Sequence, residues 1–107
     1  MAEKQLESSA VSAFCTSVAT MLAAGVQTDE AVHMLSENRE QSPFKRVCDT
    51  VYAKLAEGMD LAESMEATGA FPAYAVEMVR VGERSGRTER VLRSLGRYYE
   101  SERRSFA

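Results

Sequence analysis

Apolar residues recur at spacings of three and four along almost the whole chain, and glycine or proline interrupts the pattern at short intervals. A period near 3.6 commits a segment to an amphipathic helix, and closely spaced breakers commit it to short connections. From about Leu6 to Ala24, residues Val11, Phe14, Val18, Met21 and Leu22 form one stripe with Cys15, and Gly25 supplies a C-terminal stop. Thr28, followed by Asp29 and Glu30, reads as an N-cap with an acidic first turn for a short helix through Leu35. Ser42-Pro43 is an N-cap with proline at the first helical position, ahead of Phe44, Val47, Cys48, Val51, Tyr52 and Leu55. Gly58 closes that helix. Asp60 and Glu63 have capping-box spacing and open a short helix with Leu61, Ala62 and Met65, which Gly69 ends. Phe71-Pro72 opens a fifth helix with Ala75, Met78, Val79 and Gly82 on one face, ending near Gly86. The sixth runs from Thr88 to about Arg104 on a stripe of Val91, Leu92, Leu95, Tyr98 and Tyr99.

Connections of a few residues imply antiparallel neighbours, so the expected fold is all-α: a compact antiparallel six-helix bundle built from three helical hairpins, one domain over residues 6–105. A chain of 107 residues can bury one core and no more. There is an internal echo: Gly25 and Gly58 each end a long helix, each precedes an apolar residue (Val26, Met59), and each has a glutamate five positions on (Glu30, Glu63). That period resembles a helical-repeat scaffold, although neither a Trp-Leu-Gly-Tyr pattern nor a Thr-Pro-Leu-His box is present.

Charge and cysteine usage narrow the function classes. A net charge of -3 argues against a nucleic-acid binder, which needs a basic excess to neutralise phosphates. Cys15 and Cys48 form neither a CxxC pair nor a disulfide framework, and free thiols suit a reducing compartment. The longest apolar stretch, Val18 to Val26, is far short of the ~20 residues a membrane helix needs, so the chain as written is expected to be soluble. His33 is the single histidine, and four metal ligands cannot be gathered from local spacing. Ser8, Ser9, Ser64 and Ser85 lie in no nucleophile elbow, and the Gly82 to Gly86 run lacks the lysine and spacing of a phosphate loop. No catalytic, cofactor or metal site is expected.

Candidate interface residues cluster in the last third. Gly82 sits inside a helix at a cost of about 1 kcal/mol relative to alanine, which close packing against another helix would offset. Gly86 reads as a C-cap with positive φ, and Ser85 precedes it. A solvated or cap-bonded carboxylate is the plainer reading of Glu83; a polar contact at a dimer or partner interface, direct or through a divalent cation, is the functional one. One carboxylate does not make a calcium site. From Arg80 to Arg104 eight arginines face four glutamates, a net +4 that leaves -7 for the rest of the chain. Arg90, Arg93 and Arg97 share one side of the sixth helix, either as a solvated face or as a contact for anionic lipid or an acidic partner, and Arg103 and Arg104 follow at its end.

These pieces also occur in a recognisable order. The run LAAGVQTDEAVHML, and AEGMDLAESMEATGAFPAYAVEMVRVGERSGRTERVL with its Gly58, Leu61, Phe71-Pro72, Gly82-Glu83 and Ser85-Gly86, resemble the cytoplasmic domain of the type II secretion system protein F family over residues 8 to 104. The resemblance implies a six-helix bundle on the cytoplasmic face of the inner membrane. It also implies a non-enzymatic platform linking the secretion or pilus-assembly ATPase to other inner-membrane platform proteins. A homodimer and an anionic membrane surface are further partners to weigh. Relatives of this kind carry two copies of the domain and three membrane helices, so the chain is expected to be an excised domain. The alternative is a free-standing helical-repeat adaptor that binds a peptide or protein partner.

Overall fold

The computed structural model describes residues 4–37 and 40–105, with backbone alone from residue 103 onward. Six helices occupy that chain: α1 (Ser8–Ala23), α2 (Thr28–Ser36), α3 (Pro43–Ala56), α4 (Leu61–Thr68), α5 (Ala73–Ser85) and α6 (Thr88–Ser105). No strand is present among the described residues. Local chemistry sets most of the boundaries. Ser42 Oγ accepts the Lys45 N–H (3.1 Å) with Pro43 at the first helical position, and Asp60 Oδ1 accepts the Glu63 N–H (2.9 Å). Thr28 departs from its expected role: Gln27 is the cap residue of α2 and makes no side-chain cap bond, while Asp29 Oδ1 takes the Glu30 N–H instead (2.8 Å).

The echo around Gly25 and Gly58 has a local cause. At both sites the residue after the glycine bonds back across the helix end, Val26 N–H to Met21 O (3.0 Å) and Met59 N–H to Lys54 O (3.1 Å). The glycine itself stands at φ 91° and φ 100°. This is a Schellman ending, which needs a left-handed residue that a Cβ would strain. The same local solution is used twice; the helices around it are not repeated units.

Packing proceeds around a closed circuit. Each helix contacts its neighbours in sequence, and α6 packs along α1. In a helical-repeat stack the first and last units stay apart; here they are in intimate contact, which excludes the repeat scaffold. Cross contacts are consistent with an antiparallel sense in two successive pairs: His33 on Tyr52 and Lys45 on Ser36 for α2 and α3, Glu66 on Arg80 and Leu61 on Glu83 for α4 and α5. The circuit encloses one core to which every helix contributes, with Phe14, Val32, Val47, Val51, Leu61, Met65, Val79 and Leu92 fully buried. Phe14 and Phe71 meet with ring centroids 4.9 Å apart. Burial of one such large side chain is worth about 1.5–3 kcal/mol, so the shared core far outweighs any single surface pair.

Two glycines admit the closest approaches. A Cβ on Gly82 would lie 2.9 Å from Val91 Cγ2 and 3.0 Å from Val91 Cβ, so α5 and α6 meet through the absence of that atom. At Gly96, which the sequence reading passed over, a Cβ would collide with Thr16 Oγ1. There the gap is filled by a buried hydrogen bond, Ser12 Oγ donating to Gly96 O (2.8 Å).

Cys15 and Cys48 are both buried and outside any disulfide, and burial pushes the Cys15 thiol up from 9.0 to about 12. Burial likewise raises the Tyr99 hydroxyl from 10.0 to about 12, with Tyr98 adding to it.

Three outcomes are expected of the fold. Gly82→Leu should destabilise by about 1–3 kcal/mol despite leucine's better helix propensity, and Gly82→Ala by less. Gly96→Ala should cost a similar ~1–3 kcal/mol, reduced in a Thr16→Ala background because that removes the colliding oxygen; a double-mutant cycle by urea denaturation measures the coupling. Folding holds the Cys15 and Tyr99 protons more tightly than the unfolded chain does. Their contribution is therefore complete below about pH 9 and is lost as pH climbs toward 12. Urea titrations across that alkaline window should show falling stability, and neither thiol should react with a thiol reagent until the chain unfolds.

Candidate functional site

The α5–α6 hairpin carries every interface candidate the sequence singled out, and the structure separates those that face inward from those that face outward. Gly82 and Glu83 face inward. The Glu83 carboxylate is half-buried and spans to the start of α4, where Oε2 accepts the Leu61 N–H (2.8 Å) and Oε1 the Ala62 N–H (2.9 Å). These amides have no partner within their own helix, and the helix dipole favours a negative charge at that end. With Asp60 bonding the Glu63 N–H, two carboxylates together satisfy three of the exposed donors of α4. Glu83 thus bonds the cap of α4. It borders a shallow groove shared with Asp29 and Asp60. Each of those carboxylates already accepts a backbone N–H. Among the described residues, no group of three His, Cys, Asp or Glu side chains is placed to hold a metal ion.

The turn beyond is held from within. Ser85 Oγ donates back to Val81 O (3.0 Å) and Gly82 O (3.3 Å). Gly86 stands at φ 73°, and Arg87 N–H reaches Gly82 O (2.7 Å), a further Schellman ending. Both Ser85 and Gly86 are exposed.

The arginines form the second, outward group, and local pairing treats them unequally. Arg80 is held by Glu66 (3.2 Å) and Glu77 (3.3 Å), which ties α5 to α4. Arg93 pairs with Glu89 one turn back (2.8 Å), and Arg97 donates to Ser94 Oγ (3.4 Å). Arg84, Arg87 and Arg90 are exposed and make no ion pair among the described residues. Arg103 and Arg104 lie in the last turns of α6, outside the described side chains. The electropositive face is therefore centred on the α5–α6 turn and the first half of α6, nearer the hairpin tip than the Arg90, Arg93, Arg97 row suggests.

Sequence reading missed an apolar groove beside that face. Tyr74, Met78 and Val81 of α5 line it against Val91, Leu95 and Tyr98 of α6. Tyr74 is 52% exposed, Val81 55% and Tyr98 46%. The two tyrosine rings lean together with centroids 5.3 Å apart. The signal was present in the register, since Tyr74, Met78, Val81 and Ser85 follow i, i+4, i+7, i+11 on the side of α5 adjoining its buried stripe. His33, the single histidine, is exposed and stacks on Tyr52 at 4.7 Å.

Comparison with known proteins places this hairpin in context. Residues 14–107 match the family described as type II secretion system (T2SS), protein F. The chain is 33% identical over 94 residues to the type IV pilus assembly protein PilC of Pseudomonas aeruginosa, covering 88% of this chain and 25% of that protein. It is 37% identical over 87 residues to the type II secretion system protein F of Aeromonas hydrophila, covering 78% and 22% respectively. A similar match, 30% identical over 89 residues, is to PilC of Thermus thermophilus. The chain thus spans about a quarter of the length of these relatives.

Glu83→Ala is expected to leave the first two amides of α4 without their acceptor and to destabilise by about 1–2 kcal/mol. Hydrogen exchange should locate the loss in α4, with protection of the α1–α6 pair changed only by the global shift. Uniform loss across all six helices, or none, would contradict the cap assignment.

Proposed function

Because the chain belongs to the type II secretion system protein F family, we propose that it is a non-enzymatic cytoplasmic domain of an inner-membrane platform protein for protein secretion or pilus assembly. In this reading it makes protein-protein contacts with the assembly ATPase and other membrane components. The observation that carries the reading is the family match over residues 14–107, which covers α2 to α6 completely and most of α1. The geometry is in keeping with it. None of the described helices is long and apolar enough to cross a membrane, and Asp60, Glu83 and Ser85 are engaged in cap and turn hydrogen bonds. What the surface offers is a positive face at one end of the bundle.

Contact through that face has a recognisable physical signature. Exposed charges add little to folding, typically under ~1 kcal/mol each, but they govern association rate and salt dependence at an interface. Charged lipid headgroups would respond to the same face, and the two occupants separate by experiment. Either contact should weaken as salt rises past physiological strength, where the Debye length is about 8 Å. The adaptor reading has no comparable support, since the helices close into a circuit and do not form an open repeat stack.

Replacing Arg90, Arg93 and Arg97 together by glutamate is expected to leave the helical circular dichroism intact and the melting temperature within a few degrees of the parent. Binding to the cognate secretion or pilus ATPase, and to anionic vesicles if lipid is the occupant, should fall sharply. A well-folded triple variant that binds both as the parent does would remove this row of α6 from the proposal.

A further inference from the structure

Of the large apolar side chains exposed among the described residues, Met34, Tyr74, Val81 and Tyr98, three fall in the single groove between α5 and α6. Its floor is Met78, Val91 and Leu95, its rim on the turn side is Arg87 and Arg90, and among the described residues no carboxylate lines it. Neither rim arginine has an ion-pair partner among the described residues, in contrast to Arg80 and Arg93 outside the groove. Apolar area beside unpartnered positive charge is costly to leave in water only on its apolar side. A ligand that fits must therefore bring apolar side chains to the floor and negative charge to the rim.

We propose that this groove receives an acidic amphipathic helix of a partner protein, laid between α5 and α6 as a third helix. The span from Tyr74 to Ser85 is about 17 Å at 1.5 Å per residue, room for roughly three turns of such a helix. Anchors on the incoming helix at i, i+3 or i+4 and i+7 would meet the matching ladder of Tyr74, Met78 and Val81. Its acidic flank would face Arg87 and Arg90.

Other occupants fit less well. A second copy related by a twofold axis would place the same patch on itself and set each arginine rim near its counterpart, a like-charge contact. A lipid surface would be met best by projecting side chains. Here Tyr74 and Tyr98 lean on one another, and Tyr98 meets Tyr99 edge-on at 4.9 Å, so the rings form walls of a recess.

The inference deepens the platform reading by naming the surface and the chemistry of the partner, and its test is a two-component measurement that can fail while that reading stands. Two stapled helical peptides with one leucine stripe, one bearing glutamates on its polar face and the other lysines, are titrated by fluorescence anisotropy against the chain. The glutamate peptide is expected to bind about tenfold or more tighter than the lysine peptide, with the preference shrinking as salt is raised. Arg87→Glu/Arg90→Glu should reverse the preference, and Val81→Asp should abolish binding of the glutamate peptide. Melting curves establish that each variant is folded. Absent or equal binding of the two peptides, or a preference that survives the charge reversal, would overturn the proposal. So would a dimer in sedimentation, or attachment to phosphatidylglycerol vesicles, that Val81→Asp abolishes.

Discussion

The contact between the first helix and the last is the constraint on which the rest of this molecule depends. Without it, six short helices joined in sequence would form an open row, each burying one face and leaving the other wet. The α1–α6 contact turns the row into a circuit with a single interior. It is made at Gly96, where a missing side chain lets Thr16 come close and the Ser12 hydroxyl reaches a backbone carbonyl across the interface. Residues from opposite ends of the chain thereby come closer than a Cβ at position 96 would allow. Leu92, Leu95 and Tyr99 of α6 are buried in the shared core.

A second, smaller contact does comparable work at the other side of α6. Gly82 lets α5 and α6 approach, and the next residue, Glu83, reaches over to cap α4. Two adjacent positions therefore fix a helix pair and a third helix at once. This explains why a residue with interface-like credentials is turned inward. Its charge satisfies amides that would otherwise need water, and the start of α4 is locked relative to the α5–α6 turn.

Surface charge follows a different logic. Arg80 and Arg93 are absorbed by glutamates on their own or a neighbouring helix, where exposed pairs of this kind contribute at most about 1 kcal/mol. Arg84, Arg87 and Arg90 are left to solvent at the hairpin tip. An excess of positive charge in one third of an acidic chain thus becomes a localised patch beside an apolar recess, and that juxtaposition is a property of the folded hairpin alone.

The helices themselves were legible from the chain. Ser42-Pro43, Asp60 and the glycines at 25, 58, 69 and 86 state where backbone hydrogen bonding starts and stops, and those signals act within a few residues of where they are read. The apolar stripes likewise foretold most of the core, including Phe14, Val51 and Leu92. Gly96 carried the same propensity cost that drew attention to Gly82, yet sequence offered no hint of its neighbour, because Thr16 lies far away along the chain. Glu83 as the cap of a different helix, and Tyr74 beside Tyr98 on one groove, were hidden for the same reason. Short-range backbone chemistry is written in consecutive residues and determined the six helices and their turns; only the tertiary structure decided which faces meet, which carboxylate turns inward and which apolar side chains remain uncovered, because those depend on distances between residues that the chain order does not set.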